Sequence, residues 1–307
     1  MIISAIVGAG FATGAELIAF FGTSALPPIA ISVLIGGFLF VVMTAIIYIP
    51  KQFNKKIFAP AFFIFFVAMT AGITELVGPI ASAAAVVTSI LIVWFGFDKM
   101  LAANKVLMIF ALAILAGLVA ANLDGTVIKS DDSSGGWLSG ALFALAYAGM
   151  NCCILPVIFQ QAQKTLPRSD LMVCIFTASV AVSFLCLLIL TAIQTNGVQT
   201  AAMPVLALSN SIIARIAVLI CILTSMFATL FNLHTSEQKN ALRLLCLGAL
   251  GYICSFFGFT KIIGVFYPLV GIALIVYIIF LFGAWVWGLA KSRWLPATPV
   301  FRAQADS

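Results

Sequence analysis

Long apolar segments recur along the whole chain and are separated by short polar segments. About 20 apolar residues in a helix cross a hydrocarbon layer of roughly 30 Å, and glycine, proline and polar residues indicate where such helices end. We expect spans at about 2–21, 28–49, 101–121, 137–160, 170–194 and 206–233. The segments 57–97 and 240–290 are each twice as long as one crossing, and we divide them at 75–79 and 258–261. The pattern therefore predicts ten spans in an all-α integral membrane protein.

The composition agrees with this pattern and leaves no room for a soluble domain. Hydrophobic residues make up 64% of the chain, charged residues 8%, and the mean hydropathy is +1.24. Such values are typical of a polytopic membrane protein. We predict one transmembrane domain at 1–290 and a cytoplasmic tail at 291–307.

The basic residues set the expected orientation. With ten spans and both termini in the cytoplasm, 12 of the 15 lysines and arginines lie in inner segments, as the positive-inside rule requires. We therefore expect an inner, or plasma, membrane protein of a bacterium. The net charge of +6 suits the anionic inner leaflet and implies no nucleic-acid partner. The three exceptions are Lys129, Arg215 and Lys261.

The motifs of common enzyme classes are missing from the sequence. It contains no HExxH, GxSxG or GxxxxGK[ST], and a single histidine, His234, provides no metal cluster. We therefore expect no enzymatic activity, and no cofactor beyond a possible coupling ion.

A weak internal repeat relates the two halves of the chain. The segment FGFDK at 95–99 recurs as FGFTK at 257–261, and Glu75 recurs as Glu237, both 162 positions later. With ten spans, these pairs lie on opposite sides of the membrane. This favours two inverted repeats of five spans each, at about 1–122 and 137–290, as in many transporters.

Two spans in equivalent positions are poor continuous helices. The first contains GAGFATGAE at 8–16, and the sixth contains AYAGMNCC at 146–153, followed by Pro156. Glycine costs about 1 kcal/mol relative to alanine inside a helix, and proline about 3 kcal/mol. Paired interruptions predict a central binding site between discontinuous helices 1 and 6. The candidate substrate-binding residues are Gly8, Gly10, Phe11, Ala12, Thr13, Gly14, Glu16, Tyr147, Gly149 and Asn151.

The interruption of the first span predicts specific chemistry. Free N–H groups at Ala12, Thr13 and Gly14 would form a positive helix end that suits a carboxylate. Free carbonyl groups at about 7–10 would suit a small cation, and Asn151 offers both a donor and an acceptor.

The first span also resembles a known family. GAGFATGAE with the following Phe20 and Phe21 is similar to the first helix of the YkvI-like membrane proteins, in the amino acid, polyamine and organocation transporter superfamily. The resemblance covers nearly all of the chain and implies the leucine-transporter fold. In sodium-coupled members of that fold, hydroxyls of helix eight and carbonyls of helix one bind the ion. The matching residues for a possible Na⁺ site are Val7, Gly10, Thr224 and Ser225.

Other roles stay open for several of these residues. Gly10 and Gly14 also fit a helix-packing motif. Glu16 could accept a proton, bind a substrate amine or stabilise the start of a half-helix, and Thr224 and Ser225 could bond to their own helix.

The sequence as a whole predicts a secondary active transporter. It would carry a small, amino-acid-like solute across the lipid bilayer, coupled to Na⁺ or H⁺. The alternative is a membrane channel or a sensor that transports nothing. The identity of the solute, the direction of transport and the oligomeric state are not determined by these patterns, and the native start could lie upstream of Met1.

Overall fold

The structure is a computed structural model that describes most of the chain. It covers 6–7, 9–22, 24, 26–48, 55–95, 97–123, 136–163, 166–209, 211–234 and 241–294. Within these ranges the regular structure is helical and there is no strand, as the sequence predicts.

The described helices follow one another in the order that the apolar segments predict. A short 3₁₀ turn at Lys55–Phe58 precedes the fourth helix. The helices are α1 Ala9–Thr13, α2 Ala15–Phe21, α3 Pro28–Tyr48, α4 Ala59–Val77, α5 Pro79–Phe95, α6 Phe97–Ala120, α7 Trp137–Cys152, α8 Leu155–Ala162, α9 Arg168–Thr195, α10 Pro204–Leu208, α11 Ile212–Leu233, α12 Ala241–Ser255 and α13 Phe259–Trp294.

Five of these helices are long and apolar enough to cross a membrane. They are α3, α4, α9, α11 and the part Phe259–Gly283 of α13. Three further apolar helices are shorter: Pro79–Phe95, Ile109–Ala120 and Ala241–Ser255. The long apolar helices indicate a membrane protein. Their lengths within the described residues do not by themselves establish the ten spans that the sequence predicts.

Glycines with positive φ mark two helix boundaries where the sequence predicts breaks. Gly78 has φ 100° between α4 and α5, and Gly258 has φ 95° immediately before α13. Glycine adopts this region without the steric penalty that a Cβ atom imposes. Pro79, as the first residue of α5, has no N–H group that the new helix would leave unpaired.

Two predicted span limits were wrong. The eighth span was placed at 206–233, but α11 begins at Ile212, because Ser211 caps it by accepting the N–H of Ala214 at 3.1 Å. The preceding residues form the separate short helix α10. The fifth span was expected from 101, whereas α6 begins at Phe97, since its first turn is polar but still helical.

The bundle places polar groups inside and large apolar side chains outside. Thr70, Thr224 and Thr229 are fully buried, whereas Ile80 is 87% exposed and Ile212 76% exposed. This distribution is expected where the outer surface faces lipid. The main helix pairs in contact are α3 with α7 and α9, α11 with α4 and α6, and α13 with α7. The short α1 and α2 contact α11 and α13 respectively.

Candidate functional site

Gly14 separates α1 from α2 in the first apolar segment. Its φ of 78° and ψ of −4° place it in the left-handed region. A Cβ atom there would lie 2.8 Å from Ile193 Cδ1 and 3.2 Å from Val205 Cγ2. Both the backbone conformation and the contacts with neighbouring helices therefore require glycine at this position.

The backbone at this interruption is hydrogen-bonded within the segment itself. The Gly14 N–H donates to the Phe11 carbonyl at 3.0 Å. The Thr13 hydroxyl donates to the Gly10 carbonyl at 3.2 Å and accepts the Ala15 N–H at 3.3 Å. The expectation of a free N–H group at Gly14 is therefore wrong, because the chain satisfies this donor with its own carbonyl. Phe11 and Ala12 are fully buried beside it.

The Glu16 side chain turns back from α2 onto α1. Its carboxylate accepts hydrogen bonds from the N–H groups of Gly10 and Phe11. A Cβ atom at Gly10 would collide with Cγ, Cδ and Oε1 of Glu16. The role of Gly10 is thus to admit this side chain, rather than to pack against another helix. Glu16 thereby stabilises the start of the half-helix α1, which is one of the roles that the sequence left open for it.

Two tyrosines from other helices lie near enough to Glu16 to feel its charge. Tyr147 of α7 and Tyr267 of α13 both interact electrostatically with its carboxylate. All three side chains are buried, with exposed fractions of 2% for Glu16, 0% for Tyr147 and 1% for Tyr267. Three separate helices therefore bring one carboxylate and two phenols together in the interior.

One oxygen of each of these side chains is unpaired. Glu16 Oε2, Tyr147 Oη and Tyr267 Oη have no hydrogen-bond partner within the described part of the chain. Cys186 and Asn151 lie near the Tyr147 hydroxyl, but not in hydrogen-bond geometry. Buried polar atoms are normally paired, because leaving one unpaired costs about 1–3 kcal/mol. We call these atoms the three unpaired oxygens, and their shared neighbourhood is the main candidate for a binding site.

Aromatic rings hold both tyrosines in place. The ring of Tyr147 lies 5.3 Å from Phe20 and 5.8 Å from Phe21, both edge to face. The ring of Tyr267 lies 5.1 Å from Phe65, also edge to face. Such pairs are worth about 0.5–1.5 kcal/mol beyond the apolar area they bury, so the two phenols are fixed in position before any ligand arrives.

The second predicted interruption disturbs the helix less than the first. Between α7 and α8, Cys153 keeps helical angles of φ −58° and ψ −34°, and its N–H donates to the Met150 carbonyl at 3.1 Å. This is a tightened helical turn rather than exposed backbone. Asn151 Nδ2 donates to the Tyr147 carbonyl of the same helix at 2.9 Å. The buried Asn151 thus supports the Tyr147 backbone.

Gly149 lies at a close helix contact rather than among the three unpaired oxygens. A Cβ atom there would come within 2.7 Å of the Gly271 carbonyl and 2.8 Å of Ile275 Cγ1. At Gly271, a Cβ atom would collide with the carbonyl of Ala146. These glycines let α7 and α13 approach backbone to backbone.

The predicted cation-site residues meet where α11 contacts the start of the first segment. Ser225 Oγ lies 3.1 Å from the Val7 carbonyl oxygen and 3.0 Å from the Cys221 carbonyl oxygen. Thr224 Oγ1 donates to the Cys221 carbonyl at 2.9 Å. Both hydroxyls therefore bond to their own helix, and Ser225 also reaches Val7. Gly8, another predicted site residue, lies outside the described residues.

Sequence reasoning missed Tyr267. A single tyrosine in an apolar span gives no sequence pattern that distinguishes a functional residue from one that only packs in the core. The one available signal is Pro268, inside α13, which cannot donate a backbone hydrogen bond to the preceding turn.

Two grooves on the outer surface are separate from this site. One, of about 460 Å³, includes Phe63 and Lys261, and the other, of about 480 Å³, includes Gly36 and Ser183. Their walls are mainly apolar and contain none of the residues that bear the three unpaired oxygens.

Comparison with family models and curated proteins gives no relative from which to transfer a function. No family model matches the chain, and no curated protein is significantly similar to it. The functional argument therefore depends on the residues themselves.

Proposed function

We propose that this chain is a secondary transporter with alternating access, which carries a small, amino-acid-like solute coupled to Na⁺ or H⁺. The observation that carries the proposal is the buried Glu16 carboxylate, whose Oε2 is unpaired within the described residues. An ionisable group inside a membrane bundle is costly, and such groups typically mark a solute or ion pathway. The neighbouring unpaired phenols of Tyr147 and Tyr267 support a polar ligand at this point.

The helix contacts support the inverted five-plus-five arrangement within this proposal. The sequence repeat makes α3, α4 and α5 equivalent to α9, α11 and α12. In the structure α3 packs against α9, α4 against α11, and α5 against α12. Such contacts between equivalent helices are expected around a pseudo-two-fold axis. The last residue of each repeated FGF segment, Phe97 and Phe259, begins a helix, α6 and α13 respectively.

The remaining parts of the proposal rest on the same repeat. The segments 9–21 and 137–162 would be the discontinuous helices 1 and 6, the first broken at Gly14 and the second at Cys153 and Ile154. We likewise propose that the chain is a member of the YkvI-like family and has the leucine-transporter fold.

Ser225 and Val7 support sodium as the coupling ion. The Ser225 hydroxyl has one proton but lies within hydrogen-bond distance of two carbonyl oxygens, of Val7 and Cys221. It can donate to only one of them at a time. A small cation between helix carbonyls and hydroxyl oxygens would satisfy the oxygens left over, because Na⁺ prefers hard oxygen ligands.

Reconstituted vesicles test the proposed function. The purified chain is placed in proteoliposomes, and uptake of labelled amino acids and amines is followed with an inward Na⁺ gradient, an inward H⁺ gradient or neither. A carrier accumulates solute above the outside concentration only while a gradient exists. Equilibration without accumulation would indicate a channel, and binding without movement would indicate a sensor; either result contradicts the proposal.

A double substitution on α11 tests the sodium site. Thr224→Ala with Ser225→Ala is expected to raise the sodium concentration for half-maximal uptake at least tenfold, since each of the two oxygens removed is worth about 1–1.5 kcal/mol. Thr177→Ala is the matched control, because Thr177 also bonds to its own helix, at 2.7 Å, but is exposed on α9. A sodium dependence equal to that of the control would exclude these hydroxyls from the site.

A further inference from the structure

The surface groove of about 460 Å³ lies where α4, α12 and α13 meet. Phe63 and Val67 of α4 form one wall, and Val265 and Phe266 of α13 form the other. Among the described residues that line it, Lys261 is the only charged one. The groove therefore combines an apolar surface with one positive charge, and the proposed transport uses neither.

The charge lies at one end of the groove, because α4 and α13 are antiparallel. Phe259, the first residue of α13, lies beside Gly72, where a Cβ atom would be 3.1 Å from its ring. Further along α13, the ring of Tyr267 lies 5.1 Å from that of Phe65, nearer the start of α4. Lys261 is therefore at the end nearest the turn before α13. The apolar walls continue from it for about 10 Å, at a rise of 1.5 Å per helical residue.

The ammonium group of Lys261 has no carboxylate partner within the described residues. Lys261 is exposed in the first turn of α13, where the helix dipole disfavours a cation. The helices α4, α12 and α13 contain one carboxylate, that of Glu75, and no ion pair joins it to Lys261 in the described part of the chain. A positive charge on a largely apolar outer surface thus requires an anion from outside the chain.

The form of the groove limits the kind of anion. A free inorganic anion would pair with Lys261 but would leave the apolar walls uncovered. An anionic phospholipid supplies both parts, a phosphate for the lysine and an acyl chain for the walls. The volume is that of a small-molecule site, and basic residues at a membrane surface attract anionic headgroups.

We infer that the groove between α4, α12 and α13 binds one anionic phospholipid, whose phosphate pairs with Lys261 and whose acyl chain lies between Val67 and Val265. This site is independent of the proposed transport, because none of its lining residues bears one of the three unpaired oxygens.

Thermal melting of the purified full chain in detergent tests this inference. The chain is freed of lipid and titrated with phosphatidylglycerol or with phosphatidylcholine of the same acyl chains. Phosphatidylglycerol is expected to raise the melting temperature at a concentration at least fivefold lower, since one lysine adds about 1 kcal/mol toward an anionic headgroup. Equal effects of the two lipids would overturn the inference, as would an equal effect of glycerol 3-phosphate, which has no chain.

A native cysteine reports where the lipid binds. Cys254 is half-buried and lines the groove, whereas Cys246 is exposed on the same helix and does not line it. Phosphatidylglycerol is expected to slow the labelling of Cys254 by N-ethylmaleimide at least threefold and to leave Cys246 unchanged, as measured by peptide mass spectrometry. Equal protection of both cysteines, or of neither, would show that the lipid does not occupy this groove.

Two substitutions separate the charge from the walls. Lys261→Gln is expected to remove the preference for phosphatidylglycerol over phosphatidylcholine, while Arg215→Gln, at an exposed position on α11, should keep it. Val265→Trp fills the groove and is expected to abolish the protection of Cys254. Its control, Val276→Trp, adds the same side chain at an exposed position of α13 outside the groove. A lipid preference and Cys254 protection that survive both Lys261→Gln and Val265→Trp would overturn the assignment. The comparison of the two lipids on the wild type needs no variant, so it decides the question even if a substitution prevents folding.

Discussion

Glu16→Gln should reduce gradient-driven solute uptake by roughly 100-fold or more. Under the proposed function Glu16 pairs with the solute or the coupling ion, and removing one partner of such a buried pair costs about 3–5 kcal/mol, where each 1.4 kcal/mol is a factor of ten. The glutamine oxygen can still accept the N–H groups of Gly10 and Phe11, so the fold of α1 should persist. The loss would therefore come from the missing charge. Initial uptake rates in proteoliposomes, at equal amounts of reconstituted protein, measure this effect.

The two possible roles of the Glu16 charge predict different patterns of loss. If Glu16 carries the coupling proton, uptake driven by a pH gradient disappears, while uptake driven by sodium at constant pH survives. If Glu16 pairs with the solute, uptake fails under both gradients. Unchanged uptake under both would exclude both roles. Glu75→Gln, with its exposed carboxylate on α4, provides the matched loss of one glutamate charge.

The helix limits could be predicted because they depend on local chemistry. Gly78 followed by Pro79, and Gly258 before Phe259, interrupt long apolar segments at points where the backbone adopts positive φ. Any chain with these residues at these places would tend to turn there. The short helix α10 could not be found in this way, because five residues are too few for an apolar period to be distinguished from a loop. Ser211 was a visible capping residue, and with it the start of α11 could have been placed correctly.

The chemistry of the site could be predicted only in part. Glu16 is conspicuous in the sequence because it is the only carboxylate in the first span. Its hydrogen bonds to Gly10 and Phe11 were not predictable, since they require the chain to bend at Gly14 and the side chain to point backwards. The placing of both Tyr147 and Tyr267 near Glu16 depends on contacts between helices that are about 120 positions apart, which no local pattern encodes.

The same helix contact explains how the tyrosines are positioned. Tyr147 follows Ala146, whose carbonyl faces Gly271, and Tyr267 lies one helical turn before Gly271 on α13. The spacing of α7 and α13 therefore sets how close the two phenols come to Glu16. Gly149, which the sequence placed among the candidate substrate-binding residues, keeps this spacing small.

Gly271→Val is accordingly expected to disrupt both stability and ligand binding. A Cβ atom at Gly271 would collide with the Ala146 carbonyl, and a backbone neighbour cannot rotate away as a side chain can. Overpacking of this kind costs about 1–3 kcal/mol, and a β-branched residue places two further carbon atoms at the contact. We expect a lower melting temperature in detergent and a loss of gradient-driven solute uptake in the fraction that remains folded.

The control for this substitution lies on the same helix. At Gly264 a Cβ atom would have no neighbour within 4 Å, so Gly264→Val adds the same side chain to α13 at an exposed position. It should keep both the melting temperature and the solute uptake of the wild type to within a small change. If Gly271→Val behaves like Gly264→Val in both measurements, α7 and α13 do not meet backbone to backbone, and the arrangement of Tyr147 and Tyr267 around Glu16 loses its support.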